Sequence, residues 1–157
     1  MRSAFTAPVP TYPEAAPCPE TEVRSRVLVW CAAWGSVNGA FPTDTLRDIV
    51  AAGPIRMAAD FGRDVAVSMS FEDYAAFWSP LLRDTYSDWS LVPDAPVDVR
   101  VQSGMAAATF SSRFMGATHD GRRLEQRQRV LQVWERIHRA WRLTHEQTTV
   151  DTEGACI

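Results

Sequence analysis

The fold of this chain is decided by its last third, which contains RVLQVWERI at residues 129–137 and WRLTHEQTT at residues 141–149. Apolar and polar residues alternate through both segments. Such alternation predicts β-strands, because successive side chains of a strand point to opposite faces. It puts Trp141, Leu143 and His145 on one face of the last strand. One ionisable ring would then interrupt an apolar row, which indicates a pocket wall.

Composition indicates one domain. The chain has 157 residues, of which 46% are hydrophobic and 22% are charged, so it is large enough to bury a core. Its net charge of −3 and pI near 5.6 give no basic surplus for a phosphate backbone or an anionic membrane. No apolar run reaches the ~20 residues of a membrane-spanning helix, and the N-terminus lacks the apolar core of a secretion signal. We therefore expect a cytoplasmic protein that binds neither nucleic acid nor membrane.

The basic, sulfur-containing and imidazole side chains exclude several kinds of chemistry. All 16 basic residues are arginine, and the absence of lysine excludes Schiff-base aldolases, pyridoxal enzymes, P-loop NTPases and kinases. Cys18, Cys31 and Cys156 have no paired spacing and predict neither a disulfide framework nor a zinc site. The three histidines are 19 and 7 positions apart, which matches no common metal-ligand pattern. We expect no metal.

The N-terminal part of the chain is predicted to contain an arm and two helices. Residues 1–20 hold five of the ten prolines and are interpreted as a flexible arm. Residues 21–150 are interpreted as the folded domain and residues 151–157 as a disordered tail. Apolar residues recur at helical spacing over residues 22–36, and a second, short helix is predicted over residues 44–52.

A strand pair and a third helix are predicted next. Residues 55–69 resemble two short strands around a turn. Ser70 with Asp73 three positions later forms an approximate capping box at the start of a helix. The buried stripe of that helix is predicted to consist of Tyr74, Phe77, Trp78, Leu81 and Leu82.

Beyond residue 87 the hydrophobic period changes from that of a helix to that of a strand. Strands are predicted over residues 97–101, 105–118 and 124–137, and Asp120-Gly121 is a strong hairpin signal between the last two. Helices followed by an antiparallel meander indicate an α+β fold.

The terminal strands carry a family resemblance. The pair Val133-Trp134 and the ending Trp-x-Leu-x-His-Glu at residues 141–146, after three helices, resemble the nuclear transport factor 2-like superfamily and its SnoaL-like or ketosteroid isomerase-like branch. The resemblance covers roughly residues 22–150. It implies a cone-shaped fold, in which a strongly curved antiparallel sheet wraps around three helices and encloses an apolar pocket.

The resemblance also bears on function. Members of this superfamily include ketosteroid isomerases, polyketide cyclases, epoxide hydrolases and dehydratases, together with proteins that only bind or associate, and most of the enzymes need no cofactor. Relatives often continue the motif as His-Glu-His and a serine, whereas this chain has Gln147 and Thr148 after Glu146. A mechanism that uses a second histidine is therefore not implied here.

Two residues are predicted to transfer protons. An imidazole can gain or lose a proton near neutral pH, so His145, beside apolar walls, would act as a general acid or base; the alternative is a satisfied core histidine. In this interpretation Glu146 lies on the opposite face. Asp60 is placed near the start of the sheet by the resemblance, where burial would raise its pKa. The alternative is a turn residue before Gly62, since aspartate often bonds its own backbone in turns.

Further residues are predicted to bind the substrate. Arg129 would orient a carboxylate or enolate oxygen with two parallel hydrogen bonds, unless it forms a buried structural ion pair. The aromatic residues are mostly core by spacing, but some should line a pocket that suits a flat, apolar ligand, either a single aromatic ring or a polycyclic system. Those predicted to contact it are Trp34, Tyr74, Trp78 and Trp141.

The leading functional hypothesis is a cofactor-independent isomerase, cyclase or dehydratase of bacterial secondary metabolism that acts by general acid/base catalysis. The alternative is a non-catalytic ligand-binding or association protein. We also expect a homodimer, because Phe110, Phe114 and Trp134 would otherwise leave apolar sheet surface facing water.

Overall fold

The first helix follows the predicted apolar stripe. In the computed structural model, which describes residues 16–151, helix α1 spans Pro19–Ala33 and is followed by its C-cap residue Trp34. The helix begins inside the predicted arm because the fixed φ and missing N–H of proline suit a first helical turn. The stripe is buried as predicted and consists of Val23, Val27, Trp30, Cys31 and Trp34. Residues 1–15 of the arm and 152–157 of the tail lie outside the described residues.

The next elements are a short helix and the predicted strand pair. Helix α2, Thr43–Arg47, is shorter than predicted. Strands β1, Arg56–Asp60, and β2, Val65–Ser68, pair in an antiparallel manner around a turn.

Helix α3, Phe71–Thr85, begins at the predicted cap. The Ser70 hydroxyl accepts a hydrogen bond from the Asp73 backbone N–H at 3.1 Å, which satisfies an amide that the helix itself leaves unpaired. Part of the predicted stripe is wrong: Tyr74 and Leu82 are buried, but Phe77 and Leu81 are 38% and 44% exposed.

The rest of the chain forms long strands. They are β3, Tyr86–Pro93, β4, Asp98–Gln102, β5, Met105–Thr118, β6, Arg123–Ile137, and β7, Ala140–Val150. The sheet has the order β2-β1-β7-β6-β5-β3, and β4 pairs with the other end of β5 on the same edge as β3. The architecture is α+β, as predicted.

One prediction about the sheet needs correction. It is mixed and not wholly antiparallel, because β1 runs parallel to β7 with Arg56 beside His145 and Asp60 beside Thr149. The connection from β1 to β7 passes through most of the fold, so local hairpin signals give no indication of this pair.

The inner face of the sheet packs against the helices. Phe110, Phe114 and Trp134 are all buried on this side, so the prediction that they form an outer apolar surface is wrong, and with it the reason given for a dimer. The homodimer itself stays a prediction. Within residues 16–151, no helix combines the length and the apolar character needed to cross a membrane.

Candidate functional site

A narrow cavity lies between α1, α3 and the inner face of the sheet. The cavity volume is about 30 Å³, and one buried water needs roughly 10–15 Å³. The cavity therefore suits a few waters or the reactive end of a small molecule. Its aromatic lining consists of Trp30, Trp34, Tyr74, Phe77, Trp78 and Phe110, and its polar lining of Ser68, Gln128, Glu146 and Thr148.

Glu146 contributes a carboxyl group to this cavity. Its side chain is buried, and its Oε2 accepts a hydrogen bond from Nε2 of Gln132 at 2.6 Å. Gln132 is itself completely buried and has its Oε1 bonded by the indole Nε1 of Trp134 at 3.2 Å. Because the indole is only a donor, this bond fixes which end of the Gln132 amide faces Glu146. A chain of three side chains thus holds the carboxyl group in place.

The environment of Glu146 moves its pKa into the neutral range. Burial disfavours the charged form and raises the pKa from 4.5 to about 7. Hydrogen bonds with the side chains of Gln132, Trp30 and Thr148 favour the carboxylate and offset part of this rise. A carboxyl group with a pKa near 7 exchanges a proton readily at neutral pH, which is the property of a general acid or base.

Tyr74 provides a second polar group in the same cavity. Its hydroxyl accepts a hydrogen bond from the indole of Trp34 at 2.7 Å. Burial, and then the negative charge of Glu146, raise the pKa of Tyr74 well above its usual 10, so the phenol stays protonated at neutral pH. Within residues 16–151, no side chain or carbonyl accepts the phenol proton. That proton is available to an oxygen atom of a ligand.

The cavity wall is a cluster of rings from α1 and α3. The rings of Trp34 and Trp78 meet edge to face with centroids 5.1 Å apart, and those of Phe77 and Trp78 with centroids 4.9 Å apart. Such contacts hold flat apolar surfaces in fixed positions. The site therefore consists of one titratable acid and one neutral hydrogen-bond donor inside an aromatic wall.

Comparisons with known proteins identify the architecture. The sequence matches no protein-family model and no curated protein. Among solved structures, it is similar to a nuclear transport factor 2-like superfamily protein from Salmonella enterica, with 22% identity and a TM-score of 0.67 over 88% of this chain and 96% of the other. This chain has the nuclear transport factor 2-like fold.

Two further solved structures with this fold have names that indicate different functions. A protein from Xanthomonas campestris, provisionally named as a calcium/calmodulin dependent protein kinase II association domain, shares 18% identity, with a TM-score of 0.67 over 92% of this chain and 99% of the other. A protein from Streptomyces avermitilis, provisionally named as a dehydratase of the NTF2-like family, shares 15% identity, with a TM-score of 0.66 over 84% of this chain and 95% of the other. At these identities the likeness shows the fold alone.

The predicted faces of β7 are wrong beyond Leu143, because the strand contains a β-bulge. Val133 of β6 lies opposite His145 and the next residue, Trp134, lies opposite Leu143. Thr144 is therefore an extra residue in β7. After it, the residues that point inward are Glu146, Thr148 and Val150, all of which line the cavity.

His145 accordingly lies outside the cavity. Its side chain is exposed on the outer face of the sheet, where its Nδ1 is 3.3 Å from the Thr144 hydroxyl. The NTF2-like cavity of this chain thus contains the glutamate of the His-Glu pair and not the histidine.

Asp60 and Arg129 are also placed away from the cavity. Asp60 ends β1 and is half-buried, and its Oδ1 accepts a hydrogen bond from the Gly62 backbone N–H at 2.8 Å, which is the turn interaction given as the alternative. Arg129 is exposed on the outer face of β6. The structure does not bring either residue to the polar groups around Glu146.

The predicted aromatic contacts divide into two groups. Trp34, Tyr74 and Trp78 line the cavity. Trp141 is buried instead against α1, where its indole donates a hydrogen bond to Oε2 of Glu22 at 2.9 Å. Among residues 16–151, no three His, Cys, Asp or Glu side chains come close enough together to hold a metal ion.

Sequence reasoning missed Glu146, although a signal for it was present. Trp141 and Leu143 are apolar at odd positions, whereas the next apolar residue of the strand, Val150, is at an even position. A change of parity within one half-buried strand predicts an inserted residue between the two sets. Applied to this strand, it would have put Glu146 on the inner face.

Proposed function

We propose that this chain is a cofactor-independent enzyme in which Glu146 removes a proton from a small apolar substrate and returns it to another atom. The observation that carries the proposal is a buried carboxyl group with a pKa of about 7 inside an aromatic cavity. A base with that pKa is present partly as carboxylate and partly as acid at neutral pH, so it is competent in both directions of proton transfer. Isomerisation, cyclisation and dehydration all use such a step.

Tyr74 would stabilise the negative charge that develops on the substrate. When a proton leaves a carbon next to a carbonyl, charge collects on the carbonyl oxygen, and a fixed donor aimed at that oxygen lowers the barrier. The phenol of Tyr74 is neutral, buried and held by Trp34. The substrate class that fits is therefore a small carbonyl compound, and the volume of about 30 Å³ favours one ring or a short chain over a polycyclic ligand.

Proton exchange at carbon tests this proposal without knowledge of the natural substrate. Single-ring ketones and enones are incubated with the protein in D₂O, and loss of the α-proton signal is followed by ¹H NMR. We expect exchange to be catalysed, to rise as the pH increases through about 7, and to fall by ~10²–10⁴-fold in Glu146→Gln. The neighbouring outward residue provides the matched control, because His145→Ala should stay within about threefold of the wild type.

The rival function is ligand binding or association without catalysis. The narrowness of the cavity favours it, and so does the fold likeness to a protein provisionally named as an association domain. A non-catalytic protein would bind some of the same ketones saturably yet leave their exchange at the buffer rate. Exchange that is equally fast in Glu146→Gln and in the wild type would contradict the proposed role of Glu146.

A further inference from the structure

A second concave site lies at the opposite end of α1 from the aromatic cavity and shares no lining residue with it. The cleft measures about 660 Å³ and is formed by the first turns of α1, the residue that follows α2, and the turn that joins β6 to β7. Its lining is rich in hydrogen-bond donors and contains Thr21, Glu22, Ser25, Arg26, Asp48, Arg139, Trp141 and Arg142.

Three arginines from three different elements converge on this cleft. Arg26 comes from α1, Arg139 from the β6–β7 turn and Arg142 from β7. Arg139 is held there by a tight two-residue turn, since both His138 and Arg139 have positive φ. In the part of the chain that the structure describes, none of the three guanidinium groups has a carboxylate oxygen within ion-pairing distance.

Arg26 gives independent evidence that a partner fits here. Its Nε is buried, yet among residues 16–151 it has no hydrogen-bond acceptor. Burial, and then the charge of Arg142, lower the pKa of Arg26. A buried donor without a partner costs free energy, and so does a pair of like charges. An anion bound between the arginines would offset the repulsion between Arg26 and Arg142.

The two acidic residues of the cleft neutralise the three arginines only in part. One carboxylate oxygen of Glu22 is already bonded by the indole of Trp141 at 2.9 Å, and Asp48 makes no ion pair with any described residue. The lining therefore keeps an excess of one positive charge, with the hydroxyls of Thr21 and Ser25 as further donors. This limits the charge that the cleft accommodates to about one or two negative units.

We propose that the cleft binds a compact oxyanion, the phosphate or carboxylate group of a small molecule, through Arg26, Arg139 and Arg142. Guanidinium groups suit both oxyanions, because their planar forks donate two parallel hydrogen bonds to paired oxygens. The site is independent of catalysis at Glu146.

Calorimetric titration of the full chain tests this site, with inorganic phosphate in one arm and acetate in the other, at low ionic strength. We expect saturable binding in at least one arm, and the arm that binds identifies the oxyanion. Added sodium chloride should weaken binding, since salt screens exposed charges. The absence of saturable binding in both arms would overturn the proposal.

Variants that each remove one arginine charge distinguish anion binding at this cleft from non-specific electrostatic attraction to the protein. Arg139→Gln and Arg142→Gln should each weaken binding by about tenfold or more, as expected for a lost hydrogen bond to a charged group. Arg139 lies in an exposed turn, so its replacement should not impair folding. Arg63→Gln removes the same charge from the β1–β2 turn and should change the affinity less than twofold. The Trp141 indole lines the cleft, so its fluorescence should respond to the anion in the wild type and in Arg63→Gln. Equal weakening in all three variants would contradict the site.

Discussion

Glu146 is held between two opposing influences at the scale of a single residue. Burial in an aromatic cavity favours the neutral acid, whereas three donors from neighbouring side chains favour the carboxylate. Burial outweighs the donors, which offset only part of its effect, so the pKa is raised to about 7. With burial alone the carboxyl group would stay protonated at neutral pH, and with the donors alone it would stay ionised and be a weak base. The donors are therefore the residues through which the proton affinity of this site is set.

Removal of the Gln132 amide should raise the pKa of Glu146. In Gln132→Leu the carboxylate loses its 2.6 Å hydrogen bond while the cavity stays apolar, and a bond to a charged group is worth about 1.5–3 kcal/mol. We expect the pKa to rise by roughly 1 to 2, since one pKa unit corresponds to about 1.4 kcal/mol. Carbon-13 NMR of the glutamate side-chain carboxyl over a pH series measures it directly.

Trp134 should act on Glu146 only through Gln132. In Trp134→Phe the amide of Gln132 is free to turn its oxygen toward Glu146, which favours the protonated acid, so the pKa should again rise, but by less than in Gln132→Leu. The matched control is Trp89→Phe, because Trp89 is also buried and also loses an indole hydrogen bond, in its case to the Trp34 carbonyl. A similar rise in both tryptophan variants would indicate loosened packing and contradict the proposed chain of hydrogen bonds.

At the scale of one element, the bulge in β7 decides which residues enter the cavity. Thr144 is buried, and its hydroxyl donates a hydrogen bond to the Val133 carbonyl at 3.2 Å, which occupies a backbone acceptor that the disrupted ladder leaves open. Leu143 before the bulge and Glu146 after it both point inward. A regular strand would place these two residues on opposite faces.

A one-residue deletion in β7 should be tolerated at the bulge and not elsewhere. Deletion of Thr144 leaves Trp141, Leu143 and Glu146 in regular alternation on the inner face, so the variant should fold with a loss of about 1–3 kcal/mol for the missing hydrogen bond. Deletion of Gln147 instead turns Thr148 and Val150 outward. Thermal unfolding followed by circular dichroism should give a much larger loss for the second variant, and equal losses would contradict the bulge assignment.

The elements that the sequence predicted well are those whose signals are local. The stripe of α1, the Ser70 cap of α3 and the Asp120-Gly121 hairpin depend on spacings of a few residues, and these appear in the structure. The site depended on a bulge that no glycine marks and on the pairing of β1 with β7 across the fold. The pairing of β1 with β7 is decided by tertiary packing. The bulge is indicated only by the change of parity between Leu143 and Val150, so an assumption of regular alternation places His145 and not Glu146 on the inner face.

At the scale of the whole molecule, a buried acid with a raised pKa makes folding depend on pH. The folded state binds the proton of Glu146 more tightly than the unfolded state does. The resulting stabilisation is complete below pH 4.5, declines as pH rises, and is lost above about 7, where the folded protein must bury a charge. The cost of that burial is on the order of 3 kcal/mol, a large share of the stability of a typical domain. The rest of the fold must therefore contribute enough stability to offset the cost of burying this charge.

Glu146→Gln should therefore stabilise the protein at high pH and not at low pH. Glutamine keeps the shape of the side chain and an acceptor for Gln132 but has no charge to bury. By urea unfolding, the variant and the wild type should have similar free energies of unfolding near pH 4.5, and the variant should gain up to roughly 3 kcal/mol at pH 8. Glu135→Gln is the matched control, because Glu135 lies on the outer face of β6 and its replacement removes one negative charge outside the cavity. A gain for Glu146→Gln that is absent at pH 8, or that is matched by Glu135→Gln, would show that burial does not disfavour the charge at position 146. The same variant should lose proton exchange while it gains stability, because both effects arise from one ionisation.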